Sequence, residues 1–181
     1  MSMTSDHNTT PATHDASIRS GSPADAEAMA EIYNHYILNT VVSFEEESLA
    51  PHEMRQRIQQ RLDGGFPLLV IEVPQQDKLL GFAYASPWNY RSAYRYTAEI
   101  SIYLAPGASG LGLGTRLYDR LFKALGDTDI KTVIAGITLP NDASVALHER
   151  YGLRQSGIFH HVGFKFGQWL DVGYWQRNLN E

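Results

Sequence analysis

The chain of 181 residues contains no cysteine. That absence excludes a disulfide framework, a Cys-type zinc site, a Cys-ligated iron–sulfur cluster and a thiol nucleophile, so catalysis must rest on oxygen, nitrogen or a bound cofactor. Long apolar runs are missing too. No stretch nears the roughly 20 residues that span a bilayer, and the opening MSMTSDHNTTPATHDAS has neither a basic n-region nor an apolar h-region. The expectation is a soluble, cytoplasmic protein with no membrane partner. Basic charge is also in short supply: 15 Lys and Arg stand against 20 Asp and Glu, a net of −5, with no Lys/Arg run. The average surface therefore repels a phosphate backbone, which argues against a nucleic-acid partner.

What is present suits one hydrophobic core, since 43% of the residues are apolar and the length is that of one ordinary domain. Residues 1–16, mostly Ser, Thr, Asn, Asp and His, read as a flexible tail, and 17–181 as a single folded domain. A short strand is expected near Ile18. Ser22-Pro23-Ala24-Asp25 then supplies a candidate N-cap, a proline at the first helical position and an acidic first turn ahead of Ala26, Met29, Ile32, Tyr33 and Tyr36. Pro51 and Glu53 open a second helix that Gly64-Gly65 ends, leaving the loop Asn39 to Ala50 to border a pocket. Strand-like runs follow at Pro67–Val73, Leu79–Ala85 and Tyr96–Leu104, then a helix at Leu113–Leu125, a strand at Lys131–Leu139, a helix at Asp142–Tyr151, and strands at Leu153–Val162 and Gln168–Arg177. The order β, α, α, β, β, β, α, β, α, β, β predicts an α/β fold with a central mixed sheet flanked by helices.

The sharpest local motif is APGASGLGLG, Ala105 to Gly114, after a predicted strand and opening a predicted helix. Such a loop brings several N–H groups toward one point at a helix N-terminus, a phosphate-binding geometry. It matches neither a dinucleotide fingerprint, because Thr115 or Leu117 falls where the last glycine is needed, nor a Walker A loop, which needs Gly-Lys-Ser/Thr. A ligand-free turn is equally compatible with the glycines alone.

Its company is more specific. With Asn34-His35-Tyr36, Ala83-Tyr84-Ala85, Thr97-Ala98-Glu99, Leu139-Pro140-Asn141-Asp142, the helix SVALHERYGL and Asp171-Val-Gly-Tyr-Trp-Gln176, the loop resembles the acetyl-CoA site of the GNAT acetyltransferases. The resemblance is closer still to the branch acting on phosphinothricin, methionine sulfoximine and methionine sulfone, and runs from about Ile18 to Leu179. It implies that acetyl-CoA is the co-substrate, that Ser109, Gly110, Leu111, Gly112, Leu113 and Gly114 cradle its pyrophosphate, and that main-chain groups of Ile102, Tyr103 and Leu104 pair with its pantetheine arm, near Asn141 and Ser144. Ser109 departs from the Gln or Arg usual at its position, which is expected to weaken cofactor binding without abolishing it.

The resemblance also assigns two catalytic candidates. Glu99 matches a glutamate that takes the amine proton directly or through a water, a useful role because an α-ammonium group is mostly protonated at pH 7; a solvent-facing or salt-bridged strand glutamate is the alternative. His148 matches the position that protonates the departing thiolate; a packed or capping histidine is the alternative. The main-chain N–H near Ile102 is implied to face the developing oxygen charge. His148-Glu149 lacks the second histidine of a zinc helix, because Gly152 stands there. His160 and His161, adjacent on a strand, are read as structural, so no metal is expected.

For the acceptor, the branch implies Arg91 and Tyr94 as holding residues, with Tyr84, Phe44 and Val172 at the pocket wall. A guanidinium suits the carboxylate of an amino acid analogue. The resemblance also implies a homodimer, which in the family the C-terminal strands help to build. Direct acetyl transfer in a ternary complex to an α-amino group is the favoured activity. An acetyltransferase for another small amine or a protein N-terminus, or a non-catalytic acyl-CoA-binding module, remains the alternative.

Overall fold

The structure, a computed structural model, describes residues 15–179. The tail expected over 1–16 lies outside them except for Asp15 and Ala16. Ala16 is buried and its carbonyl accepts from Arg116 Nη2 at 2.6 Å.

Strand β1 (Ser17–Ser20) leads into Ser22, whose side chain and Asp25 form the reciprocal capping box. A proline-started turn at Pro23–Asp25 then feeds α1 (Ala26–Asn39). Pro51 and Glu53 open α2 (Pro51–Asp63), which ends at Gly64. Strands β2 (Leu68–Val73) and β3 (Lys78–Pro87) form a hairpin, with Asp77 in the left-handed region at φ 50° closing the turn. Then come β4 (Thr97–Leu104), α3 (Leu113–Gly126), β5 (Thr132–Leu139), α4 (Asp142–Arg150), β6 (Arg154–Lys165) and β7 (Gln168–Asn178). This is the predicted element order.

The seven strands make one mixed sheet in the order β1-β2-β3-β4-β5-β7-β6, in which only β4 and β5 are parallel. Helix α3 buries Leu113, Leu117, Tyr118, Leu121 and Leu125, a stripe at helical spacing, against β2, β3 and β4. Helix α1 covers the opposite face, where Tyr33 and Tyr36 stand edge-on to Tyr103 at 5.0 and 5.2 Å. Burial of Met29, Ile37, Ile58, Phe82 and Leu153 completes the core. No helix among the described residues is long and apolar enough to cross a membrane.

The last hairpin departs from regular strand geometry. β6 runs to Lys165, but its register against β7 shifts between Phe159 and Gly163, and His161 sits at φ 52°. In this bulge the main-chain N–H of His161 and the Nδ1 of His160 both meet the Asp171 carboxylate at 2.8 Å. The bulge interrupts the regular strand at these two histidines and ties both to β7.

Candidate active site

The site begins where the parallel pair comes apart. β4 and β5 are in register only at Thr97–Thr132, Ala98–Val133 and Glu99–Ile134. Beyond that point the two strands diverge around a narrow cleft of about 50 Å³. Ile100 to Tyr103 line one wall and Gly136 to Thr138 the other, with Asn141, Ser144 and His148 of α4 beside them and Val42 nearby. Strand edges that part leave main-chain donors and acceptors facing a gap, and an extended amide-bearing chain can pair with them. Helix α1 caps the far end of this β4 edge: Tyr36 Oη donates to the Leu104 carbonyl at 2.7 Å and accepts from its N–H at 3.2 Å. Leu104, expected to pair with the pantetheine arm, thus has both main-chain groups already engaged by Tyr36, and Tyr103, in register with Phe82, turns its main-chain groups to β3, which leaves Ile102 at the open edge.

The glycine loop follows directly. Gly107, Gly110 and Gly112 have φ of 79°, 78° and 74°, a conformation that side chains rarely adopt, and Gly112 is the N-cap of α3. Ser109, Gly110, Leu111 and Gly112 are exposed and nothing approaches where a Cβ at Gly110 or Gly112 would sit, so the first turn of a 14-residue helix is open to a ligand. Leu113 is buried as the first core residue of α3, and Gly114 packs against Leu147 of α4. An exposed N-terminal turn with its free N–H groups fits the diphosphate of acetyl-CoA.

Glu99 occupies the last position of β4 that pairs with β5. Alternation puts it on the same face as Ser101 and Tyr103, and the same face of β3 carries Phe82, Tyr84 and Ser86. Among the described residues nothing donates a hydrogen bond to its half-buried carboxylate, and burial raises its pKa. Gly136 lies across the gap from the carboxylate: a methyl group there would crowd the Tyr174 ring at 3.3 Å and touch Glu99 Oε1 at 3.6 Å. Tyr174 has its own phenol pKa raised, first by burial and then by the Glu99 charge. Trp88 and Phe159 stand edge-on to Tyr174 at 5.5 and 5.4 Å, making an aromatic rim beside the carboxylate.

His148 is 3% exposed, the one buried residue of α4. Its Nδ1 lies 2.7 Å from the Ser144 carbonyl and its Nε2 2.8 Å from Tyr118 Oη. The carbonyl can only accept, so the proton sits on Nδ1 and Nε2 accepts from Tyr118. Burial lowers the imidazole pKa, partly offset by the Ser144 bond, and the ring is neutral at pH 7. Asn141 spends its side-chain oxygen on capping α4 through Ser144 N–H at 3.1 Å, and presents its remaining groups to the cleft.

The expected acceptor residues separate into two groups. Val172, buried opposite Thr138 and Phe159, shares the Tyr174 face of β7. Phe44 lays its ring on Gly163, where no Cβ would fit, and Lys165 Nζ donates to the Ser43 carbonyl at 2.6 Å from a 2% exposed position. The loop after α1 is thereby clamped to the last hairpin. Tyr84 lies under the Arg61 guanidinium at 3.9 Å. Arg91 and Tyr94, by contrast, are exposed on the segment around a one-turn helix at Ser92–Tyr94, away from any ion pair among the described residues. Arg95 stacks on Tyr96 at 4.4 Å.

Gly136, Tyr174, Lys165, Tyr118 and Arg61 were not singled out by sequence reasoning. The DVGYWQ motif contains Tyr174, but nothing local ties it to Glu99. A larger cavity of about 690 Å³ lies at the other end of α4, among Arg150, Arg154, Gln176 and Arg177, and contains none of these site residues. No group of three or more metal-ligating side chains occurs among the described residues.

Comparisons with known proteins agree with this geometry. A family model for the acetyltransferase (GNAT) domain matches residues 18–173. A phosphinothricin N-acetyltransferase of Streptomyces coelicolor is 38% identical over 93% of this chain and 99% of its own length. An L-methionine sulfoximine/L-methionine sulfone acetyltransferase of Salmonella typhimurium is 35% identical over 91% and 95%. The crystal structure of a phosphinothricin acetyltransferase from Sinorhizobium meliloti in complex with acetyl-CoA superposes with a TM-score of 0.86 at 35% identity, covering 91% of this chain and 88% of that one. With a splayed parallel strand pair, an open glycine loop and relatives of this kind over almost its whole length, the chain belongs to the GNAT family of acetyl-CoA-dependent N-acetyltransferases.

Proposed function

We propose that this enzyme acetylates the α-amino group of a small amino acid analogue of the phosphinothricin, methionine sulfoximine or methionine sulfone type. The observation that carries the proposal is Glu99: a half-buried carboxylate without a hydrogen-bond donor, at the point where β4 and β5 part, with a glycine opposite and aromatic walls around it. Relatives named for these acceptors support the substrate class.

Acetyl-CoA, held by Ser109 to Gly114, by the main chain of Ile102, and beside Asn141 and Ser144, supplies the acetyl group as a thioester. Glu99 takes one proton from the acceptor's α-ammonium group, directly or through a water, and so presents a neutral nitrogen. Its raised proton affinity suits that transfer, since a base closer in pKa to the amine moves the proton at lower cost. The neutral nitrogen attacks the thioester carbonyl, the Ile102 N–H faces the oxygen that gains charge, and collapse breaks the C–S bond, forms the amide and expels CoA as a thiolate that takes its proton from solvent. With no cysteine to carry an acyl group, both substrates are bound together. His148 holds α4 in place as a neutral imidazole. Tyr84, Phe44 and Val172 wall the acceptor, and Arg91 with Tyr94 reaches its carboxylate from the exposed loop. The site of action is the cytoplasm.

Thiol release is the test. Purified enzyme with acetyl-CoA is expected to turn over at least one of phosphinothricin, methionine sulfoximine and methionine sulfone; tight acetyl-CoA binding with no release for all three overturns the proposal in favour of a binding module.

The proposal includes a homodimer. Phe159, Val162, Phe164, Phe166 and Trp169 are each 55–61% exposed on the β6–β7 hairpin, at the outer edge of the sheet. Monomers rarely leave so many large apolar groups together in water. Phe164→Glu is expected to shift light-scattering mass from two chains toward one, and an unshifted dimer would place the interface elsewhere.

A further inference from the structure

Arg61, in the last turn of α2, carries the buried side-chain polar atoms that lack a hydrogen-bond partner among the described residues, its Nε and Nη1. Charged donors are seldom left so, because desolvation then goes uncompensated. The neighbouring carboxylate is already taken: Glu45 accepts from Arg57 at 2.7 and 3.1 Å and from Tyr33 Oη at 2.8 Å. Two guanidiniums and one carboxylate leave this cluster one positive charge in excess, within a chain of net charge −5. The small cavity beside it is lined by Tyr33, Met54, Phe82 and Tyr84 with the two arginines, and none of these supplies a negative charge.

The position of that charge gives it meaning. The Arg61 guanidinium covers the face of Tyr84, whose strand partner Ser101 lines the cleft, and Glu99 is the next residue on the same face of β4. The guanidinium thus stacks on a ring of the same sheet face that carries Glu99, and its charge acts toward the acceptor side through side chains that screen less than water.

We infer that Arg61 is a specificity-determining residue, favouring acceptors whose side chain bears an additional anionic group, such as a phosphinate, over neutral acceptors of similar size. This rests on the acceptor reading above. The orphaned donors are then a standing field aimed at the pocket, kept at some cost to stability.

The test compares kcat/KM for phosphinothricin, anionic in its side chain, with that for methionine sulfone, neutral there. Arg61→Met is expected to lower the phosphinothricin-to-sulfone ratio about ten- to hundredfold, mainly through KM. Arg61→Lys, which keeps the charge but loses the planar stack, is expected to retain most of the ratio. Glu45→Gln removes the one negative charge and is expected to move the ratio the other way, so the inference stays testable if Arg61→Met does not fold. An equal fall on both acceptors in Arg61→Met, or a ratio unmoved by Glu45→Gln, overturns it by assigning Arg61 a purely structural stack. Wild-type enzyme that turns over neither acceptor overturns the acceptor reading and this inference together.

Discussion

Glu99→Gln is expected to lower turnover by about 10²- to 10⁴-fold and, at the same time, to raise the melting temperature at neutral pH. The two effects share one cause. The carboxylate sits half-buried with no donor to compensate it, and burial raises its pKa. Between the ordinary carboxylate pKa and the raised one, the native state holds more protons than the unfolded state. Stability therefore falls as pH rises through that window, and above it the protein carries the full cost of an ionised, poorly solvated group. Gln matches the shape, cannot ionise, and removes that cost together with the base. The pH profile of kcat/KM should agree: activity needs ionised Glu99, so the acid limb lies above the ordinary range for a glutamate. A variant with near-normal turnover across neutral pH would remove Glu99 as the base, and one that is inactive without gaining stability would break the link between function and burial.

How far this site can be read without coordinates depends on sequence distance. Helix starts such as Ser22-Pro23 and the positive-φ glycines after β4 are local chemistry, in which a few neighbours settle the conformation, and they are legible in a single pass. Glu99 is legible only as a residue of a strand. That it ends a parallel pair, with Gly136 across the gap, depends on β5 pairing beside β4 and on β7 entering between β5 and β6, and no local pattern encodes that order. Lys165 and Ser43 meet across 122 positions, and Arg61 finds Tyr84 only once α2 lies over the β2–β3 hairpin. Such pairs arise from tertiary packing of ordinary polar residues, so nothing in their own segments marks them. Leu104 shows the reverse: its strand is readable, but Tyr36, 68 residues earlier, uses the main-chain groups that the family pattern would leave for the cofactor.

His148→Ala is expected to cost about 2–4 kcal/mol of stability, equivalent at this chain length to roughly 5–15 °C in melting temperature. The imidazole fills space between α3 and α4, and its removal leaves a cavity while stripping the buried Tyr118 hydroxyl of its 2.8 Å acceptor. Tyr118→Phe should cost less, and the double variant less than the sum of the two, because both remove the same bond. The pH dependence has a definite sign. Burial lowers the His148 pKa, so the unfolded chain takes up a proton at higher pH than the native one does. The stabilisation is complete above the unfolded value near 6.5 and is lost as pH falls toward the lowered native pKa. His148→Gln should flatten that acid-side decline. A proton donor to the leaving thiolate would behave differently: both ring nitrogens are engaged, one by the Ser144 carbonyl and one by Tyr118, so a direct donor role requires the α4 turn to open. At a temperature where His148→Gln remains folded, the positioning role leaves the pH limbs of kcat unmoved, and loss of the basic limb would instead make His148 the acid.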